Sequence, residues 1–551
     1  MLGELLAKAV DFKKAVELAV ENVIKHGDTD IFPFPFENHA FFDAKKELID
    51  LAIAYNDNFD DYLRDFPPQN VNSLTPAGYY GFRWATQIDP IWNIYFLSCV
   101  ISISDEIEAA RIPIPDDVVF SYRYKPDGVS GDLFDRSIGW PQFIESSTKA
   151  AESHEYVVSC DISEFYPRLG HHRLENALQH IAGNHDASKR IMTFLSNFSN
   201  TRSFGLPIGG PASRILSELT INQVDRLLYH KGVQFKRFAD DYHIFASSRE
   251  DAYNKLLFVS EKLFDNQGLS IQKSKTRIMT SAEFRATNPL SIELDNESAE
   301  ADGEKVAKTH MRTALMRFSL NFDPYSPSAE KDYRELKSEI QKFDILGMLR
   351  SELSKSRVHT ALTRKIISAI RHLEGRVRDE AVLSILKNME ILYPVFSSVL
   401  MLLDSVFDEL SQVVKTEIMN IIRDMIINDS HILRVDSHLC FAIRVISHSN
   451  STENQSLLLQ LYEKRTSPIV RRDIILVIAR WKEWYWLSDL RNRFRVLSGP
   501  ERRAFIVASY VLRDEGKHWR DHTQKEFDPF ELFIRDWVAS KVSSPKWRIP
   551  L

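Results

Sequence analysis

Apolar residues recur at three- and four-residue spacing through Leu5, Ala9, Phe12, Val16, Ala19 and Val23, the stripe of an amphipathic helix. The run from Trp92 to Ile112, WNIYFLSCVISISDEIEAARI, is apolar enough to predict a largely buried helix, so the whole N-terminal stretch is expected to be helical. From Pro113 the texture changes. Short β-rich runs (DVVFSYRY, EYVVSCDI, then VQFKRF and YHIFASS) alternate with helical segments such as ASRILSELTINQVDRLLYH. Strands interleaved with helices predict an α/β or α+β catalytic body.

The stretch from Arg285 to Glu304 is polar and acidic and reads as a linker or surface excursion. From about Lys308 strand signals nearly vanish, and amphipathic runs follow one another: RKIISAIRHLEG, EAVLSILKNMEIL, VFSSVLMLLDSVFDEL and VVKTEIMNIIRDMII. The segment SPIVRRDIILVIARWKEW, with Pro468 opening a helix, resembles one unit of a HEAT-like helical repeat, although no strict period is present.

Composition narrows the class. A chain of 551 residues is too long for one ordinary core, and a hydrophobic content of 44% with 19 Gly and 22 Pro is that of a globular protein. Cys99, Cys160 and Cys440 fit no ligand spacing; they suit a reducing compartment and read as buried small hydrophobes. Charges run through the first residues, which resemble neither a signal peptide nor a membrane span, so a cytoplasmic protein without a membrane partner is expected. A net charge of −6 argues against a protein that coats duplex nucleic acid, while leaving room for a local basic channel.

Two segments carry candidate chemistry. In KRFADDYHIFASS, Asp240 and Asp241 lie between two alternating runs, hence at the tip of a β-hairpin. Alone, that pair is no more than an ordinary acidic turn. In YVVSCDISEFYPRL a β-run ends at Asp161, and Tyr166 follows. Nucleotide transfer with two hard cations needs carboxylates from separate elements converging on one point, and a strand end facing a hairpin tip supplies that. GLPIGGPASRILSEL lies between the two segments and GLSIQKSKTRIM follows them.

In this order the four segments resemble the palm motifs of bacterial reverse transcriptases. The resemblance implies an α+β reverse-transcriptase palm and fingers followed by an all-α HEAT-like helical repeat domain. The expected divisions are 1–112 for the N-terminal helical part of the fingers, 113–290 for the fingers and palm core, and 291–551 for the helical domain. It also implies Asp161, Asp240 and Asp241 as ligands of Mg²⁺, with Mn²⁺ as the alternative, and Tyr166 as an aromatic gate against the 2′-hydroxyl that selects deoxynucleoside triphosphates. Lys275 would stand near the phosphates as a general acid, and Gly209 in a loop that lets backbone approach the nucleotide. Taken singly, Tyr166 reads better as a core aromatic, Lys275 equally as a surface lysine, and Gly209 as serving a strained turn. Arg123 and Lys125, two apart on an expected strand and so on one face, are either fingers cations for the triphosphate or an exposed strand face. Ser213 and Arg214 are expected to position the helix start, and His171, His172 and His243 to serve packing or surface.

Two departures bear on the subtype. Ile208 stands where many templated bacterial enzymes carry Gln beside the nascent base pair, and Phe238 where Tyr is commoner. Ile cannot donate the hydrogen bonds that Gln can, which puts dependence on a template in question. The stretch from Tyr79 to Tyr124, with GLPIGGPASRILSEL, FADD and the long helical extension, resembles the abortive-infection (Abi) reverse transcriptases of bacterial phage defence, AbiK-like proteins that include a prophage-borne member. That family implies untemplated, protein-primed synthesis of single-stranded DNA that stays covalently attached, and a homo-oligomer. Among 18 tyrosines, composition selects no primer. The alternatives are a template-dependent enzyme using a partner RNA and a helical-repeat scaffold or phage sensor with a degenerate polymerase.

Overall fold

A computed structural model describes residues 12–29, 31–79, 81–183, 185–198, 202–287, 315 and 336–551. The expected linker falls largely outside them, as do Leu5 and Ala9. Two compact units are present: one formed by residues 1–30, 37–70 and 86–299, the other by 31–36, 71–85 and 300–551.

The first unit is built on a four-stranded sheet in the order β6-β7-β5-β8, with β5 Tyr156–Asp161, β6 Phe235–Phe238, β7 Asp241–Ala246 and β8 Arg277–Thr280. Each paired neighbour runs antiparallel, and Asp161 sits opposite Asp241 in the β5–β7 ladder. Successive side chains of β7 point to opposite faces, and helices cover both. Tyr242 reaches Asp225 on the helix Pro211–His230, whereas His243 stacks on Phe143 of Trp140–Ala151 and meets Phe284 of Ser281–Thr287. Covered on both faces, β7 is buried from Tyr242 to Ala246, and its polar groups find partners on the flanking helices.

Two expectations for the N-terminal stretch need correcting. Residues 1–112 are not helical throughout, because β1 Val71–Pro76 and β2 Phe82–Gln87 form a two-stranded sheet. Nor do residues 71–85 group with their sequence neighbours: they pack with the second unit, where the Tyr79 hydroxyl donates to the Ile391 carbonyl at 2.7 Å and accepts from the Val358 amide at 2.9 Å. The expected buried helix from Trp92 is two helices, Pro90–Ile101 and Ser104–Ala110.

A second two-stranded sheet joins β3 Tyr124–Asp127 to β4 Asp132–Phe134. Beyond β8 the described residues contain helices and no strand. Each of Thr360–Ile370, Phe396–Val406, Asp436–Ile446, Pro468–Arg480, Gly499–Ala508 and Pro529–Lys541 packs against the next in that series, skipping the helix between them in sequence. Pro468 occupies the first turn of its helix, where a missing N–H costs nothing. All three cysteines are buried and free. Among the described residues no helix is long and apolar enough to cross a membrane.

Candidate active site

Asp161 ends β5, and the β6–β7 hairpin turns through Ala239 and Asp240 beside it. Ala239 takes φ +52°, a position in tight hairpins where glycine is usual. The Asp240 carbonyl accepts from the Ile162 amide at 2.9 Å, and the Asp161 carbonyl from the Gln272 amide at 2.7 Å. The strand end is thus held by the hairpin on one side and the GLSIQKSKT turn on the other. One carboxylate oxygen from each of Asp161, Asp240 and Asp241 lies within 4.8 Å of the others. Lys275 approaches from the turn, its Nζ 3.1 Å from Asp161 Oδ2.

The electrostatics are those of crowded anions. Burial, then the Asp161 carboxylate, pushes Asp240 up to about 6. Burial, then Asp240 and Asp161, pushes Asp241 up to about 7. Burial works against the Lys275 charge, but the three carboxylates outweigh it and raise its pKa. One ammonium for three carboxylates leaves an excess of negative charge.

Residues 121–347 match the reverse transcriptase (RNA-dependent DNA polymerase) family. The chain carries a reverse transcriptase domain. It is accordingly a nucleotidyltransferase of the reverse transcriptase type. Among solved structures, telomerase from Candida albicans in complex with a fragment of telomeric RNA is 10% identical, with 77% of this chain and 70% of that one covered at a TM-score of 0.28. Apo telomerase from Candida tropicalis is 9% identical, with 70% and 71% covered at a TM-score of 0.27. No curated protein matches the chain.

Reverse transcriptase domains use divalent metals, and the residues present fit one: an all-oxygen set of three carboxylates is the chemistry that Mg²⁺ and Mn²⁺ take. A divalent cation held there supplies positive charge to lower the pKa of an attacking hydroxyl and to offset charge on the phosphates. The raised pKa values give the protein's pH response a sign. Each group is protonated at low pH in the folded chain, so its stabilising contribution is complete below its unfolded value near 4 and is lost as pH rises through about 6 and 7. Metal-free protein is therefore strained at pH 8. Melting curves in EDTA and in Mg²⁺ should show a larger Mg²⁺-induced rise at pH 8 than at pH 5.5; equal rises would contradict the site.

Tyr166 is half-buried in the reverse transcriptase domain; its hydroxyl bonds that of Tyr122, and burial raises its pKa well above the ordinary range. Its carbonyl accepts from the Leu206 amide at 3.0 Å, which ties the aromatic to the GLP loop. Gly209 has φ +129°, and a Cβ there would collide with the Thr29 side chain, so the backbone itself demands glycine. Arg123 and Lys125 do not share a face. Arg123 is buried, donating to the Ile112 carbonyl and pairing with Glu108 at 2.5 Å, whereas Lys125 is exposed and paired with Asp135 at 3.0 Å. The chain turns at Tyr122, φ +47°, and β3 begins only at Tyr124, so Arg123 lies outside the strand that the sequence suggests. His171 bonds the Gly205 carbonyl, His172 is exposed and His243 is buried against Ser147, all packing or surface roles.

Sequence reasoning passed over Tyr122, whose ring lies under the Arg214 guanidinium at 5.4 Å and beside Phe238 at 5.8 Å. Phe238 closes an aromatic cluster with Trp140 and Phe143, where a ring suffices without a hydroxyl. Also missed was a buried group of charges behind the hairpin: Arg111, Glu218, Asp225 and Arg237. Arg237 follows a basic residue two positions before the turn, and nothing local distinguishes it from a solvated strand residue.

Proposed function

We propose that this chain is an abortive-infection type DNA polymerase of bacterial phage defence, joining deoxynucleotides without a template onto a side chain of its own. The observation that carries nucleotidyl transfer is the convergence of Asp161, Asp240 and Asp241 within 4.8 Å from two separate strand ends, with Lys275 against them. In this reading the carboxylates hold Mg²⁺, Lys275 passes a proton to the departing pyrophosphate, and Tyr166 bars a 2′-hydroxyl. A lysine ammonium carries a proton at neutral pH and so has one to give.

The subtype draws support from Ile208, which offers no side-chain hydrogen bond to a templated base pair. It also draws on the helical unit, where every second helix packs on the next, as in HEAT-like repeats. A tyrosine hydroxyl is chemically suited to be the primer, attacking an α-phosphate to leave a phosphodiester and free pyrophosphate. A cytoplasmic homo-oligomer belongs to the same proposal.

Purified protein incubated with Mg²⁺ and labelled deoxynucleotides, with no nucleic acid added, should yield a labelled protein band that survives denaturation and is shortened by nuclease. Incorporation only after RNA is supplied would instead support a template-dependent enzyme with a partner RNA.

A further inference from the structure

We propose that Arg237 is a positioning residue for the metal-binding pair Asp240–Asp241, acting with Glu218 and Asp225 as a buried clamp that grips the catalytic turn on both flanks. The inference rests on the reading of the three carboxylates as the seat of synthesis.

Arg237 lies on β6 with no exposed surface, and all its N–H groups have acceptors. Nε donates to both Asp225 oxygens at 2.9 and 3.0 Å, and Nη2 donates to Asp225 at 2.6 Å and to Glu218 at 2.8 Å. Nη1 donates to Glu218 at 3.1 Å and to the Ala239 carbonyl at 2.8 Å. That last bond is the informative one. Ala239 immediately precedes Asp240 and holds the left-handed φ of +52° that aims the turn. On the other flank Tyr242, which follows Asp241, donates its hydroxyl to Asp225 at 3.0 Å. The residues before and after the pair are therefore fixed by one cluster, through Arg237 on one side and Asp225 on the other.

Glu218 carries the clamp further. It accepts from Arg111 Nη2 at 2.6 Å and from Ser121 Oγ at 2.6 Å, and Arg111 also donates to the carbonyls of Ser121 at 2.7 Å and Tyr122 at 3.0 Å. Tyr122 is itself left-handed, with φ +47°, and is the hydroxyl partner of Tyr166. The turns at Ala239 and Tyr122 are thus both tied to the same buried anion, Glu218. Stability alone does not call for such a cluster, because apolar side chains of equal volume commonly serve as well or better. A planar guanidinium, by contrast, fixes several acceptors in one plane at once, which an ammonium cannot do.

The test uses the full-length protein, Arg237→Lys and Tyr242→Phe, with the Mg²⁺ concentration for half-maximal deoxynucleotide incorporation as readout and melting temperature as the control for folding. Arg237→Lys should raise that concentration about tenfold or more, the scale on which groups that orient metal ligands act. Tyr242→Phe, which loses one hydroxyl from the clamp, should raise it about two- to fivefold with melting nearly unchanged, the worth of one hydrogen bond. If Arg237→Lys does not fold, Tyr242→Phe decides alone. Folded variants that keep the parent Mg²⁺ requirement and lose rate only with folded fraction would overturn the clamp. Full activity of Asp240→Ala would instead overturn the underlying reading of the site, a distinguishable failure.

Discussion

Asp240→Ala is expected to lower deoxynucleotide incorporation by on the order of 10³-fold or more, while the protein stays folded and becomes more resistant to heat in the absence of metal. Both effects have one origin. The carboxylate is held away from water and beside the like charge of Asp161, which is why its pKa rises to about 6. At pH 8 it is ionised against that resistance, so alanine relieves the folded state of a repulsion as it removes a ligand. The Ile162 amide bonds the backbone carbonyl of Asp240, so the strand junction survives the substitution. A rise of about 2–4 °C in the EDTA melting temperature is the scale for a relief near 1 kcal/mol in a unit of this size. Parent-level synthesis, or a fall in melting temperature, would refute the assignment. The same variant decides the scaffold alternative: cells protected normally by a protein that no longer synthesises would assign defence to the helical unit.

The largest stability effect is expected in that helical unit, from Asp473→Ala. Asp473 has no exposed surface and accepts from Arg444 Nε at 3.2 Å and from Arg472 Nε at 2.8 Å. Both guanidinium groups are largely buried, on neighbouring helices. Removing the shared anion leaves two cations facing each other in a dry interior, and breaking buried pairs in this way costs about 3–5 kcal/mol. Amide hydrogen exchange should accelerate across Asp436–Ile446 and Pro468–Arg480, and urea should unfold the unit earlier. A change below about 1 kcal/mol would show that water reaches these arginines.

What the sequence made legible follows from how local each signal is. β5 and the β6–β7 hairpin could be read because β-rich runs and an adjacent pair of carboxylates at their junction sit within a dozen positions. Asp161, Asp240 and Asp241 became meaningful through their order with the GLP loop and Lys275, and the structure brings the four side chains together. Arg123 and Lys125 failed as a common face because Arg123 lies before β3, next to a left-handed Tyr122, a conformation that no β-rich composition announces. Strands β1 and β2 escaped notice because VNSLTP and FRWATQ are short, with Pro76 ending the first and Gly78 and Gly81 between them. The clamp escaped for another reason: Arg111, Glu218, Asp225 and Arg237 are scattered, and charges far apart in a chain look solvated until folding buries them together.

The excursion of residues 71–85 into the second unit has a consequence for biosynthesis. Tyr79 leaves the ribosome long before Val358 and Ile391, its hydrogen-bond partners, have been made. Through that interval the hairpin, with Phe82 and Trp84 on its surface, has no helical bed to lie on, and the loop that must eventually close spans most of the chain. Vectorial folding from the N-terminus cannot finish the second unit in one pass. A chain interrupted near residue 350 would present an orphaned sticky hairpin, a natural mark for chaperones or proteases.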